Sequence, residues 1–110
     1  MPHDLSRVHK PIGALFPESV SEESCKLSEE QLEHFREQGY VAGIRLCEGR
    51  QVDALREALV RLADTAHPGH GLFHEYHSNE STNPDTVLFH ALGAWRIEEA
   101  FHDLLWNPAF

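Results

Sequence analysis

Long apolar runs are missing from this chain of 110 residues, and none approaches the roughly 18–20 consecutive apolar residues that a membrane-spanning helix needs. Basic residues are scarce: 9 Lys and Arg stand against 18 Asp and Glu, for a formal net charge of -9. Phosphate recognition depends on clustered Lys and Arg, which do not occur here, so neither nucleic acid nor an anionic membrane surface is an expected partner. Cysteine is confined to Cys25 and Cys47, whose spacing fits no zinc motif and builds no disulfide framework. The opening stretch MPHDLSRVHKPIGALFP lacks a long apolar core and a small-residue cleavage site, so it does not read as a secretory signal. Free thiols and a cytoplasmic location are the corresponding expectations. There is no glycine-rich phosphate loop and no G-x-S-x-G elbow, so Ser78 and Ser81 near the histidines carry no nucleophile signature. The neighbouring carboxylates Glu22/Glu23, Glu29/Glu30 and Glu98/Glu99 read as surface or helix N-terminal charge rather than acid–base pairs.

What remains has the balance of a globular domain, 41% hydrophobic and 25% charged. Residues 1–26 read as an N-terminal arm interrupted by Pro2, Pro11 and Pro17, largely mobile but with Ile12, Leu15 and Phe16 as possible anchors. A helix begins at Ser28, where Gln31 three residues on completes a capping box, and it stops at Gly39. Tyr40, Val41 and Ile44 favour an extended strand immediately afterwards. Val52, Leu55, Leu59 and Leu62 form the apolar stripe of a second helix over about Arg50–Ala66. Residues 67–84 break regular structure, and Val87–Trp95 suits either strand or helix. Ile97, Ala100, Phe101, Leu104 and Leu105 recur with helical spacing until Asn107–Pro108.

Histidine is the one abundant chemical resource, with 9 in the chain. His67, His70, His74 and His77 follow the spacing H-x2-H-x3-H-x2-H, with Glu75 among them. Imidazoles suit zinc, nickel, copper and iron, so a local metal clip is one reading. Pro68, Gly69 and Gly71 deny the segment a helix, however, and spacing alone does not fix a ligand geometry. A polar, histidine-rich loop is the plainer reading, with the metal-binding module as its alternative.

Two stretches carry a resemblance. Leu27-Ser28-Glu29-Glu30-Gln31 with Phe35-Arg36-Glu37-Gln38-Gly39-Tyr40-Val41 comes first, followed by the helix through Val52, Leu55 and Leu59. Phe89-His90-Ala91-Leu92-Gly93-Ala94-Trp95-Arg96 then runs on to Phe101-His102-Asp103-Leu104-Leu105-Trp106-Asn107-Pro108. Together they resemble the N-terminal region of the phytanoyl-CoA dioxygenase family. The resemblance implies a non-haem oxygenase that uses Fe(II), 2-oxoglutarate and dioxygen to hydroxylate a small organic substrate. It also implies a double-stranded β-helix (jelly-roll) core holding iron with His-x-Asp and a more distant His. No His-x-Asp or His-x-Glu occurs here: His74 directly precedes Glu75, and His102 directly precedes Asp103. No catalytic, iron-binding or 2-oxoglutarate-binding residue is therefore transferred.

The expected fold class is α+β: about three helices and one or two short strands flanking a jelly-roll core that lies mostly outside this chain. Residues 27–110 would be the N-terminal part of such a domain, cut before its metal site. The chain is expected to be inactive alone, to bind neither Fe(II) nor 2-oxoglutarate, and to self-associate through exposed apolar helix faces. An autonomous small acidic helical interaction protein is the alternative.

Overall fold

The chain is described over residues 3–110 by a computed structural model. Its elements, in order, are α1 (Glu22–Cys25), α2 (Glu29–Gln38), α3 (Gly49–Leu62), β1 (Glu75–His77), β2 (His90–Leu92) and α4 (Glu99–Leu104), with short 3-10 turns at Leu5–Arg7, His70–Leu72 and Ala94–Arg96. This is a mixed α+β arrangement with a two-stranded antiparallel sheet. No helix among the described residues is long and apolar enough to cross a membrane.

The local signals at α2 are realised atom by atom. Ser28 Oγ accepts from the Gln31 amide at 3.1 Å, and Gln31 Oε1 accepts from the Ser28 amide at 2.8 Å. Gly39 ends the helix at φ 80°, a conformation open to glycine without the Cβ penalty. The expected strand after it does not form. Residues 40–46 join no ladder: no strand lies beside them, and the Leu46 carbonyl accepts from the Asn107 side chain at 2.9 Å instead. α2 itself buries no residue, and Phe35 is 51% exposed.

α3 also starts on a reciprocal cap, with Gln51 Oε1 accepting from the Glu48 amide at 2.7 Å. It ends at Leu62 rather than at Ala66. The Asp64 carboxylate accepts from the Ala66 amide at 2.9 Å, a local turn that competes with the helix, and Pro68 disfavours helical backbone at His67. α3 packs on α4, and its Ala58 and Leu62 are essentially sealed from solvent. The third apolar stripe yields only the short α4, preceded by the 3-10 turn at Ala94–Arg96.

The segment read as an arm lies against this pair. Leu5 and Phe16 are buried with Ala58 and Leu62, and these four are the buried hydrophobic side chains among the described residues. Asp4 pairs with Arg96 at 2.7 Å, and Gln51 Nε2 donates to the Leu15 carbonyl at 3.1 Å. The chain from Asp4 to Phe16 is thus fixed to the body by polar bonds as much as by apolar burial.

Candidate functional site

β1 and β2 pair antiparallel with Glu75 opposite Leu92, Tyr76 opposite Ala91 and His77 opposite His90. Alternation along a strand puts Glu75 and His77 on one face and Tyr76 on the other. Tyr76 anchors the hairpin: its ring meets His70 at 4.4 Å, Phe73 at 5.2 Å and Phe89 at 5.5 Å, and its hydroxyl donates to the Ala63 carbonyl after α3.

The connection between the strands folds back over the opposite face. Asn79 Oδ1 accepts from the Ser81 and Leu88 amides, and the Glu80 amide donates to the Leu88 carbonyl at 2.8 Å. Ser81 and Thr86 hydroxyls meet at 2.8 Å across the tip. This closure brings the Glu80 side chain to the paired histidines. One Glu80 oxygen lies 3.5 Å from His77 Nε2 and the other 3.1 Å from His90 Nδ1, while Glu75 Oε1 lies 2.8 Å from His77 Nε2. The ligand atoms of Glu75, His77, Glu80 and His90 all fall within 4.8 Å of one another, the one such group among the described residues. Each of the four side chains is partly open to solvent. The hydrogen bond from His77 holds the Glu75 carboxyl below its usual range, aided by the nearby His90 and opposed by slight desolvation.

Of the four histidines singled out by spacing, only His77 belongs to this group. His67 Nδ1 accepts from the Gly69 amide at 2.9 Å, which leaves Nε2 to donate to Glu98 at 3.0 Å. Glu98 also accepts from Nε and Nη2 of Arg61, at 3.0 and 2.9 Å. Burial pushes the Glu98 carboxyl up, but these bonds outweigh it and the net shift is downward. His70 stacks edge-on against Phe73 and Tyr76, with its Nδ1 buried and unpartnered. His74 is exposed beside the Arg96 guanidinium. The spacing motif is thus divided among four environments. Glu80 and His90 were not visible as partners, because their approach depends on strand register and on closure of the loop over residues 78–89.

The adjacent pair His102–Asp103 has a structural use. Asp103 accepts from the Ile12 and Gly13 amides at 2.8 and 2.7 Å, and His102 Nδ1 meets its carboxylate at 2.9 Å. His102 Nε2 donates to the Val8 carbonyl at 2.7 Å. Both ring nitrogens face acceptors. Desolvation would raise the Asp103 carboxyl, yet the bonds from His102, Ile12 and Gly13 hold it below its ordinary value.

These pairings decide how the chain stands toward an oxygenase centre. His102 and Asp103 are buried and saturated by the arm, while His74 sits beside Arg96 and Glu75 against His77. Arg61 and Arg96 are engaged by Glu98 and Asp4. The described residues do not fit an iron centre of the His-x-Asp type. No family model matches the chain, and neither a curated protein nor a solved structure matches it.

Proposed function

We propose that this chain is the N-terminal helical part of an Fe(II)/2-oxoglutarate-dependent oxygenase resembling the phytanoyl-CoA dioxygenase family, and that it performs no oxidation by itself. The observation that carries the reading is the apolar surface left uncovered on α3, around the hairpin and at the end of α4. Val60, Val87, Leu88, Leu105 and Phe110 are each more than half exposed. Leu59, Val60, Ala63, Tyr76, Val87 and Phe89 line an open groove of about 300 Å³ between α3 and the hairpin. The hairpin is a sheet of two strands, fewer than an independently stable sheet in water ordinarily has. A larger β-sheet laid against α3 and continued from the hairpin would cover both features, as the layer logic of mixed folds requires.

In such an enzyme the iron supplies the oxidation. This chain's own residues would contribute packing: α3 and α4 would brace the sheet, and the Asp103 clasp would fix the arm across their ends. The hydroxylated substrate belongs to the class of small organic molecules, selected by groups outside this segment.

The DNA following the Phe110 codon tests the reading. An open frame encoding His-x-Asp and a later histidine is the expected result, and the 110-residue chain alone should yield no succinate from 2-oxoglutarate with Fe(II) and ascorbate. An immediate stop codon, or succinate formed by the chain alone, would overturn it. An autonomous acidic interaction module is the second reading, favoured by the arm's closure onto α4, which lets part of the body complete its own polar bonding.

A further inference from the structure

We propose that Glu75, His77, Glu80 and His90 form a binding site for a divalent transition-metal ion, with Zn(II) as the expected occupant. The inference is independent of the oxygenase reading, since it concerns a donor set at another place and of another order than the His-x-Asp pattern. It also differs from a linear histidine clip, because His67, His70 and His74 take no part.

The argument is geometric. A tetrahedral zinc with Zn–N and Zn–O bonds of about 2.0–2.1 Å has its ligand atoms roughly 3.3 Å apart. The His–Glu approaches of 2.8, 3.1 and 3.5 Å lie near that value, the last two through different oxygens of Glu80, and the whole set of ligand atoms lies within 4.8 Å, so a bound ion would draw the wider pairs inward. Two imidazoles and two carboxylates form a donor set that suits Zn(II), Co(II) or Ni(II) better than Mg(II) or Ca(II), which favour oxygen alone. Two carboxylates also match the charge of a divalent ion. In a chain of net charge -9 the surrounding field favours a cation further.

The scaffold accounts for the convergence. Register places His77 directly opposite His90, with ring centroids 5.7 Å apart. Strand alternation puts Glu75 on the same face as His77, and the Asn79 and Glu80 main-chain bonds to Leu88 return Glu80 to the pair. Glu80 bridges the two rings with its separate oxygens, so the ligands are already gathered by His–carboxylate hydrogen bonds. An ion replaces the shared protons at the centre of the group. Because each ligand comes from the hairpin or its loop, binding would staple residues 75–92 as one unit.

Calorimetric titration of the full chain with Zn(II) tests this, together with Co(II) titration followed by visible absorption. One equivalent bound at micromolar affinity or better is expected, with Co(II) bands of a four-coordinate nitrogen–oxygen site. His77→Gln, His90→Gln and Glu80→Gln should each weaken binding by more than the roughly 10–100-fold that follows loss of an outer-sphere partner. His67→Gln and His74→Gln should leave it unchanged. Imidazole resonances of the wild-type chain provide a readout that needs no variant: Zn(II) should shift His77 and His90 and leave His67 in place. Absence of heat at micromolar Zn(II), or binding retained when both His77 and His90 are replaced, would overturn the proposal. So would zinc-induced shifts confined to other histidines.

Discussion

Asp103 shows how one carboxylate can organise residues ninety positions away. It is nearly fully buried, and three donors converge on its two oxygens: the Ile12 amide, the Gly13 amide and the His102 ring. Its folded-state pKa lies below the unfolded value, so its contribution is fully present above the ordinary carboxylate range and is lost as pH falls through the depressed folded value. Protection of the Ile12 and Gly13 amides from hydrogen exchange should therefore hold at neutral pH and fall as the pH drops below about 4. Asp103→Asn should mimic this at neutral pH, lowering protection of the two amides by roughly thirtyfold, equivalent to about 2 kcal/mol. Protection unchanged in the variant would show that burial of Leu5 and Phe16 and the bonds at Asp4, Val8 and Leu15 hold the arm without Asp103. Nothing in the local sequence announces this role. His102-Asp103 reads as two polar residues in an amphipathic stripe, and only the path of the arm brings their partners near.

Among the elements, α2 is the piece most completely specified by its own residues. Ser28, Gln31 and Gly39 fix both ends, while no residue of the helix is buried. Its boundaries therefore depend on caps rather than on packing. Gly39→Ala forces a side chain into left-handed backbone at φ 80° and should cost about 1 kcal/mol, in the local stability of α2 rather than in that of α3 and α4. Hydrogen exchange resolved by residue would detect this as faster exchange confined to residues 29–39, and a uniform change across α3 would contradict it. α3 behaves differently. Its stripe and its start were legible, but its end was set by Asp64 and Pro68, two residues whose turn chemistry overrode the continuing alanines. Residues 40–46 show the converse: their strand propensity finds no neighbouring strand and goes unused.

For the whole molecule, the radius of gyration is 16.8 Å, against about 13 Å for a compact chain of this length. The body is broad and flat, 47 × 38 × 23 Å, and too thin to enclose much of its apolar surface. Exposed Val60 and Val87 lie along the groove between α3 and the hairpin, where another copy could take the place of the proposed sheet. Sedimentation velocity of the 110-residue chain should show concentration-dependent association, and Val60→Glu should shift it toward monomer without changing the helical circular dichroism. A wild-type chain that sediments as a monomer at all concentrations and melts in one cooperative step would instead favour the autonomous module.

The sequence by itself determined the features that depend on near neighbours: the cap at Ser28, the stop at Gly39, the apolar stripes of α3 and α4, and the absence of a His-x-Asp ligand pair. Each involves contacts within about one helical turn, where residue type and spacing suffice. Tertiary structure alone decided which side chains share a place. It drew the arm onto Asp103, separated His67, His70 and His74 from His77, and set Glu80 and His90 beside His77. Those outcomes depend on strand register, loop closure and the return of a distant segment, none of which a local spacing encodes.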